Sequence, residues 1–289
     1  MAKFVPDQST RRWVVIAPSR VERPENLVKQ KSTCPFCEGN ENETPPEVWR
    51  VGGEGNWNKP GWKVRVVPNK FKITDIHEVI IHSPDGFRDI EELELEQVGL
   101  ILKVYRQRYQ NYQNQGHVLI FCNHGKHSGA SLSHPHSQLV VIPRQITLDA
   151  LSPEALNNIV DENTFFNVYC PDFSQWPYEV WIAPKEKRDE AGKEKEISFG
   201  EISDEEIIDL AKILQLSLQK LAKISQSPVV AKINVDTDFT YNYYIHQSKT
   251  WYLRIIPRFI HRAGFELGTG LSVNIVDPSV AAEELRQIF

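Results

Sequence analysis

One order of elements occurs twice along this chain, and that repetition restricts the folds open to it more than any other property. From His77, "HEVIIHSPDG" reads as a strand running into a turn. "ELELEQVGLILKVYRQRYQNYQ" then reads as a helix, because Val98, Ile101, Leu102, Tyr105, Tyr109 and Tyr112 fall three and four apart on one face. "GHVLIFCNHG" and "HPHSQLVVIPR" follow as two strands. About a hundred residues later the order returns, with "PYEVWIAPKEK" as strand and turn and a helix over "ISDEEIIDLAKILQLSLQKLAKIS". Ser203 and Glu206 have capping-box spacing there, and Ile207, Leu210, Leu214, Leu218 and Leu221 make the apolar stripe. "TYNYYIHQ" and "WYLRIIPR" close the second unit.

The expected division is a first half over residues 1–150 and a second over 151–289, each large enough to bury a core. Aligning Ile142–Arg144 with Ile256–Arg258 sets Thr250 opposite His136 and Tyr252 opposite Gln138. The second half therefore lacks the polar face of the first, and one site per chain is expected. Residues 145–170 show no clear period, and the charge run over 184–200 reads as a solvated loop.

"HPHSQ" carries the chemistry. Strand alternation puts His134, His136 and Gln138 on one face, and Pro135, which cannot donate to a ladder, implies an edge or a start just outside the sheet. By spacing alone, such a histidine pair is a metal ligand pair, a catalytic pair or a satisfied structural pair. The preceding "NHGKHSGASLS" favours catalysis. Its Gly125, Gly129, Ser128, Ser131 and Ser133 are small enough for backbone N–H groups to approach a phosphate, and a neutral imidazole aimed at a held phosphate is a competent nucleophile.

The net charge of −5 gives no reason to expect nucleic acid or an anionic membrane as partner. No run approaches the ~20 apolar residues of a membrane span, and the opening residues lack the apolar stretch of a signal peptide. A soluble, cytoplasmic protein is expected. Of four cysteines, Cys34 and Cys37 form one Cys-x-x-Cys, which suits a zinc half-site better than a redox pair because no thioredoxin-like unit surrounds it.

Taken together and in order, "RWVVIAPSRVERP", "CPFCEGNENETPPEV", "VRVVPNKF", "HPHSQ" and "AGFELGTG" resemble the galactose-1-phosphate uridylyltransferase family. This branch of the histidine triad superfamily also includes ADP-glucose phosphorylases, and the resemblance covers nearly the whole chain. It implies an α+β duplicated histidine-triad fold, mainly antiparallel sheet with helices packed on it, usually dimeric. His136 would be the nucleophile toward the α-phosphorus of a nucleoside diphosphate sugar, the His134 carbonyl would hold its ring, and Gln138 would donate to phosphate oxygens. Hydrolases of the superfamily carry a histidine where Gln138 stands, so glutamine implies transfer to a phosphate-bearing acceptor.

The resemblance also assigns Asn123, Gly129 and Ser131 to the phosphate, Asn69 to the ribose, Arg20 and Arg23 to the sugar phosphate, and Glu266 to the border of the sugar site. It implies zinc on Cys34, Cys37 and His134, with a fourth ligand after a Ser-Pro-x turn. Here that turn reads "SPDG" and ends in Gly86, leaving His77, His82, His127 or Asp85 as substitutes, or an incomplete site. A second metal site of some relatives is missing its two histidines, since Tyr252 and Arg254 stand there, so no iron is expected. The default function is uridylyl transfer between UDP-glucose and galactose 1-phosphate, and the alternative is nucleotide-sugar phosphorolysis. "FELGTG" resembles the phosphorylase-like members more. A nucleotide-binding protein without turnover and a zinc-stabilised structural domain are the readings from other classes.

Overall fold

The computed structural model describes residues 2–7, 13–22, 34–54, 56–146, 148, 156–187, 192–193, 195–233 and 238–289. A short hairpin, β1 (Lys3–Pro6) and β2 (Trp13–Ile16), stands apart from the main sheet. The main sheet has ten strands, each paired antiparallel to its neighbours. Its strands are β3 (Trp49–Val51), β4 (Val64–Pro68), β5 (His77–Ile81), β6 (His117–His124), β7 (His136–Ile142), β8 (Ile159–Glu162), β9 (Phe166–Tyr169), β10 (Val180–Pro184), β11 (Tyr241–His246) and β12 (Tyr252–Pro257). Their spatial order is β3-β4-β5-β7-β6-β11-β12-β10-β9-β8. Counted outward from the β6–β11 seam, both directions give the same succession, and the first half faces the second across that seam.

Two strands per half extend the repeat beyond the sequence reading. β8 and β9 lie in the segment without a clear period, for a physical reason: all four residues of β9 are buried, so they cannot alternate, and β8 carries a register break between Ile159 and Asp161. The charge run also hides structure. Ile197 and Phe199 at its end are buried, and Phe199 packs edge-on against Trp251, so the solvated-loop expectation fails there.

Helices α1 (Leu95–Tyr112) and α2 (Asp204–Ser225) cover one face of the sheet. The capping box is present: Glu206 N–H donates to Ser203 Oγ at 3.1 Å, and Ser203 N–H donates to the Glu206 carboxylate at 2.7 Å. Ile207, Leu210, Leu214, Leu218 and Leu221 are all fully buried against Leu139, Val141, Leu253 and Ile255. Each such side chain contributes roughly 1.5–3 kcal/mol relative to exposure. The stretch "GFELGT" forms a short helix, α3 (Gly264–Thr269), which ends at Gly270 with φ 75°. The last helix, α4 (Pro278–Arg286), starts at Pro278, with Asp277 as its cap.

The opposite face carries the polar rows. In β12, Arg254 points there and grips Glu179 through two bonds of 2.7 and 2.8 Å, while its third nitrogen donates to the Tyr244 hydroxyl. Trp181 Nε1–H donates to the same carboxylate at 2.7 Å. Arg254→Met should cost about 3–5 kcal/mol in urea denaturation, because Glu179 is left buried without its cation. Adding Glu179→Leu should recover part of the loss. A double variant no more stable than the single one would contradict this pairing.

Candidate active site

Pro135 lies just outside β7, where its carbonyl accepts from His82 N–H at 3.1 Å, and the strand proper begins at His136. Of the two placements that proline allowed, the second holds: β7 is a central strand, between β5 and β6. His136 and Gln138 share the face opposite the helices, whereas Ser137 and Leu139 face α1. His134 precedes the strand, which corrects the expectation of three side chains in one strand row. Its carbonyl and its ring do different work.

The carbonyl of His134 lies 2.7 Å from His136 Nδ1. A carbonyl only accepts, so Nδ1 carries the proton and Nε2 keeps its lone pair. Phe36 packs edge-on against the His136 ring at 5.2 Å. The amide of Gln138 is oriented by a similar chain that starts at a backbone donor. Ile73 N–H donates to His77 Nδ1 at 2.9 Å, so His77 Nε2 carries its proton and donates to Gln138 Oε1 at 2.9 Å. Asn69 Nδ2 donates to the same oxygen at 3.3 Å. The Gln138 amide oxygen is thereby fixed, and its NH2 group is left to the cavity.

The ring of His134 turns the other way. Its Nε2 donates to the Ser83 carbonyl at 2.9 Å, so Nδ1 presents a lone pair, 3.5 Å from both Cys34 Sγ and Cys37 Sγ. Burial lowers the pKa of this imidazole and favours the neutral ligand form. Zinc with bonds of ~2.3 Å to sulfur and ~2.0–2.1 Å to nitrogen needs about 3.6 Å between those atoms in a tetrahedron. These three residues therefore fit a metal. Among the described residues no fourth donor joins them. Asp85 is engaged by Phe87 N–H and Arg88, His77 serves Gln138, and His82 Nε2 meets Ser137 and Tyr105. His127 packs instead against His261. A Cβ on Gly86 would stand 2.8 Å from His134 Nδ1 and 3.4 Å from Cys37 Sγ, so the glycine lies against two of the three donors.

His136 lines two cavities. One of about 190 Å³ is bounded by Phe36, Val67, Asn69, Phe71, Ser131 and Gln138, mostly apolar with a few polar groups. Arg20 bonds the Phe71 carbonyl at 2.8 Å beside it, and Arg23 lies outside the described residues. The other cavity, of about 740 Å³, is bounded by Asn123, His124, Lys126, Asp89 and Glu91. The loop between β6 and β7 has Gly125 at φ 81° and Gly129 at φ 82°. Only glycine fits at Gly125, since a Cβ would lie 2.4 Å from Thr240. Asn123 is held from the second half, by Asn242 Nδ2–H donating to its Oδ1 at 2.7 Å. Glu266 caps its own helix by accepting from Ala263 N–H at 3.0 Å.

Sequence reasoning missed four contributors. His77 was read only as a substitute metal ligand, although a polar residue in an apolar strand signals a buried bond. Phe36, Asn242 and the group around Glu91 carry no local signal. Glu91 accepts from the Tyr241 hydroxyl at 3.1 Å, and His124 stacks on Tyr241 while its Nδ1 lies 3.0 Å from Asp89.

Known proteins resemble this chain over its length. A family profile described as the N-terminal domain of a domain of unknown function, DUF4931, matches residues 17–144. An ADP-glucose phosphorylase from Arabidopsis thaliana is 28% identical over 98% of this chain and 92% of its own. A galactose-1-phosphate uridylyltransferase from Thermotoga maritima is 25% identical over 96% of each. The crystal structure of an ADP-glucose phosphorylase from A. thaliana with bound ADP-glucose superposes with TM-score 0.73 at 27% identity, covering all of both chains. A DUF4931 family protein from Bacillus cereus shares the fold at TM-score 0.53 and 17% identity, over 82% of this chain and 98% of that one.

Burial raises the Glu91 carboxyl to about 7. The folded chain holds this proton where the unfolded chain releases it near 4.5, so the contribution is full below about 4.5 and lost as pH rises through about 7. Thermal melts across that range should show Glu91→Gln gaining on the native protein as pH rises. A constant gap would contradict the assignment.

Proposed function

From whole-chain kinship with the galactose-1-phosphate uridylyltransferase family, we propose that this protein transfers a nucleoside monophosphoryl group through a covalent bond to His136. The observation that carries the reading is the His136 ring, held at Nδ1 by the His134 carbonyl at 2.7 Å and lining both cavities. Nε2 attacks the α-phosphorus of a nucleoside diphosphate sugar, a P–N bond forms, the P–O bond to the sugar phosphate breaks, and sugar 1-phosphate departs. The ring bears the positive charge of the intermediate while its Nδ1–H stays on the carbonyl. An oxygen of the acceptor phosphate then attacks phosphorus and restores His136, with no net proton change. Gln138 donates to the non-bridging oxygens where charge builds.

Asn69, beside the smaller cavity, suits the nucleoside, and we assign Asn123, Gly129 and Ser131 to the phosphates and Arg20 and Arg23 to the sugar phosphate. Uridylyl transfer to galactose 1-phosphate and phosphorolysis of ADP-glucose both use this geometry and differ in base and acceptor. We assign the catalytic HPHSQ motif to the half over residues 1–150 and treat 151–289 as the half with the degenerate site. Exposed Phe265, Leu267 and Leu271 support a homodimer. No helix among the described residues is long and apolar enough to cross a membrane. We assign the enzyme to the cytoplasm with no membrane or nucleic-acid partner, a reading that the net charge of −5 supports. We assign zinc to Cys34, Cys37 and His134, where it would clamp the 34–37 turn to the residue that orients the nucleophile. We assign no iron.

Incubation with labelled UDP-glucose or ADP-glucose should leave an acid-labile, base-stable label on the protein, discharged by galactose 1-phosphate or inorganic phosphate. His136→Asn should abolish it, and Gln138→Ala should slow its formation by about 10²-fold or more. A label that survives His136→Asn would sink the proposal. Nucleotide binding without any label would favour a binding protein. Elemental analysis should find zinc in the native protein and little in Cys34→Ser, and unchanged content would refute the metal assignment.

A further inference from the structure

Ser137, between His136 and Gln138 in the chain, turns its hydroxyl toward α1. It is fully buried there, together with Tyr105 of α1 and Tyr243 of β11. The three hydroxyls form a triangle: Ser137 bonds Tyr105, Tyr105 lies 2.7 Å from Tyr243, and Tyr243 lies 3.1 Å from Ser137. His82, just after β5, sets its Nε2 2.7 Å from Ser137 Oγ and 3.0 Å from the Tyr105 oxygen. Burial pushes the pKa of His82 well down, so the ring is neutral. Its Nδ1 is buried with no hydrogen-bond partner, and a lone pair tolerates that better than an N–H, so Nε2 carries the proton. Each hydroxyl then donates to the next around the triangle, and Ser137 accepts a second bond from His82 Nε2.

The fold itself does not require this set of bonds, as the second half shows. In the register that sets Thr250 opposite His136, Trp251 stands at the place of Ser137, and along the helix stripes Leu214 stands at the place of Tyr105. Both are fully buried in the apolar core. The hydroxyls therefore accompany the histidine-bearing strand alone, and what they hold is the main chain on either side of the nucleophile. His82 N–H donates to the Pro135 carbonyl at 3.1 Å while its ring holds Ser137, so one residue grips the chain before and after His136. Cys122 Sγ–H donates to the His136 carbonyl at 3.4 Å. Cys122 pairs with Ser137 on one side and with Tyr243 on the other, so the row crosses the β6–β11 seam into the second half. A closed set of buried bonds favours one geometry, because losing any member leaves a buried polar group unpaired.

We infer that Ser137, Tyr105, Tyr243 and His82 are positioning residues for His136. They fix the main chain from Pro135 to Ser137, and with it the 2.7 Å contact between the His134 carbonyl and Nδ1 that leaves Nε2 nucleophilic. Through Tyr243, the half with the degenerate site takes part in holding the nucleophile of the other. Aim matters in a displacement at phosphorus, where the attacking and leaving atoms must stand in line. The effect on turnover rests on the nucleotidyl-transfer reading; the hold on the ring does not.

Two readouts on Tyr243→Phe and Ser137→Ala test this. The control is Tyr109→Phe, one turn along α1, which removes a hydroxyl that donates to Gln247 at 3.3 Å and lies outside the triangle. In ¹⁵N-labelled protein, exchange of the His136 Nδ1–H with water should be about tenfold or more faster in the two variants than in the native protein or the control. With labelled UDP-glucose or ADP-glucose, the single-turnover rate of labelling should fall about tenfold or more in the same two variants while nucleotide affinity stays native. Ser137→Ala carries the test alone if Tyr243→Phe misfolds. In a protein that takes the label, native exchange in both variants, equally fast exchange in Tyr109→Phe, or faster exchange with native labelling would each overturn the inference and leave the transfer reading intact. Faster exchange in a protein that takes no label from either nucleotide sugar would uphold the hold on the ring and remove that reading.

Discussion

The contact of 2.7 Å between the His134 carbonyl and His136 Nδ1 decides what the rest of the site does. A histidine exposes one nucleophilic nitrogen only if the other is committed to a proton, and a main-chain carbonyl is an acceptor that does not change with pH. Pro135 helps by keeping this turn out of the ladder, so the carbonyl of His134 is free to face its neighbour's ring but one. The same residue's imidazole points to Cys34 and Cys37, so a metal there would fix the orienting group from the other side. The metal-facing imidazole and the carbonyl that orients His136 are two ends of one residue, His134.

The duplicated sheet explains how one site draws on both halves. The β6–β11 seam sets Asn242 beside Asn123. Where the first half carries His136 and Gln138, the second carries bulk and charge compensation: Tyr252 stacks on Trp181 at 4.1 Å, and Arg254 neutralises Glu179. What it retains toward the site are polar side chains at strand ends, where the loops of the two halves meet.

Much of this was legible in the chain because it is written in local periods. The helix stripes, the Ser203–Glu206 box and the repeated order of elements each depend on residues a few positions apart. The "HPHSQ" row was legible as chemistry, but the departure of His134 from the strand was not, since it depends on where a cysteine turn a hundred residues earlier comes to rest. β9 was invisible because a strand buried on both faces has no alternation to read. His77, Phe36 and Asn242 act through tertiary contacts, and the Gly86 departure shows in sequence only as a missing donor, whereas its closeness to His134 needs the fold.

The most direct measurement is a long-range ¹⁵N spectrum of the histidine rings at neutral pH, with His136→Asn used to assign the signal. The account predicts a neutral His136 with its proton on Nδ1 and a lone pair on Nε2. A ring protonated on Nε2 alone, or on both nitrogens, would contradict it.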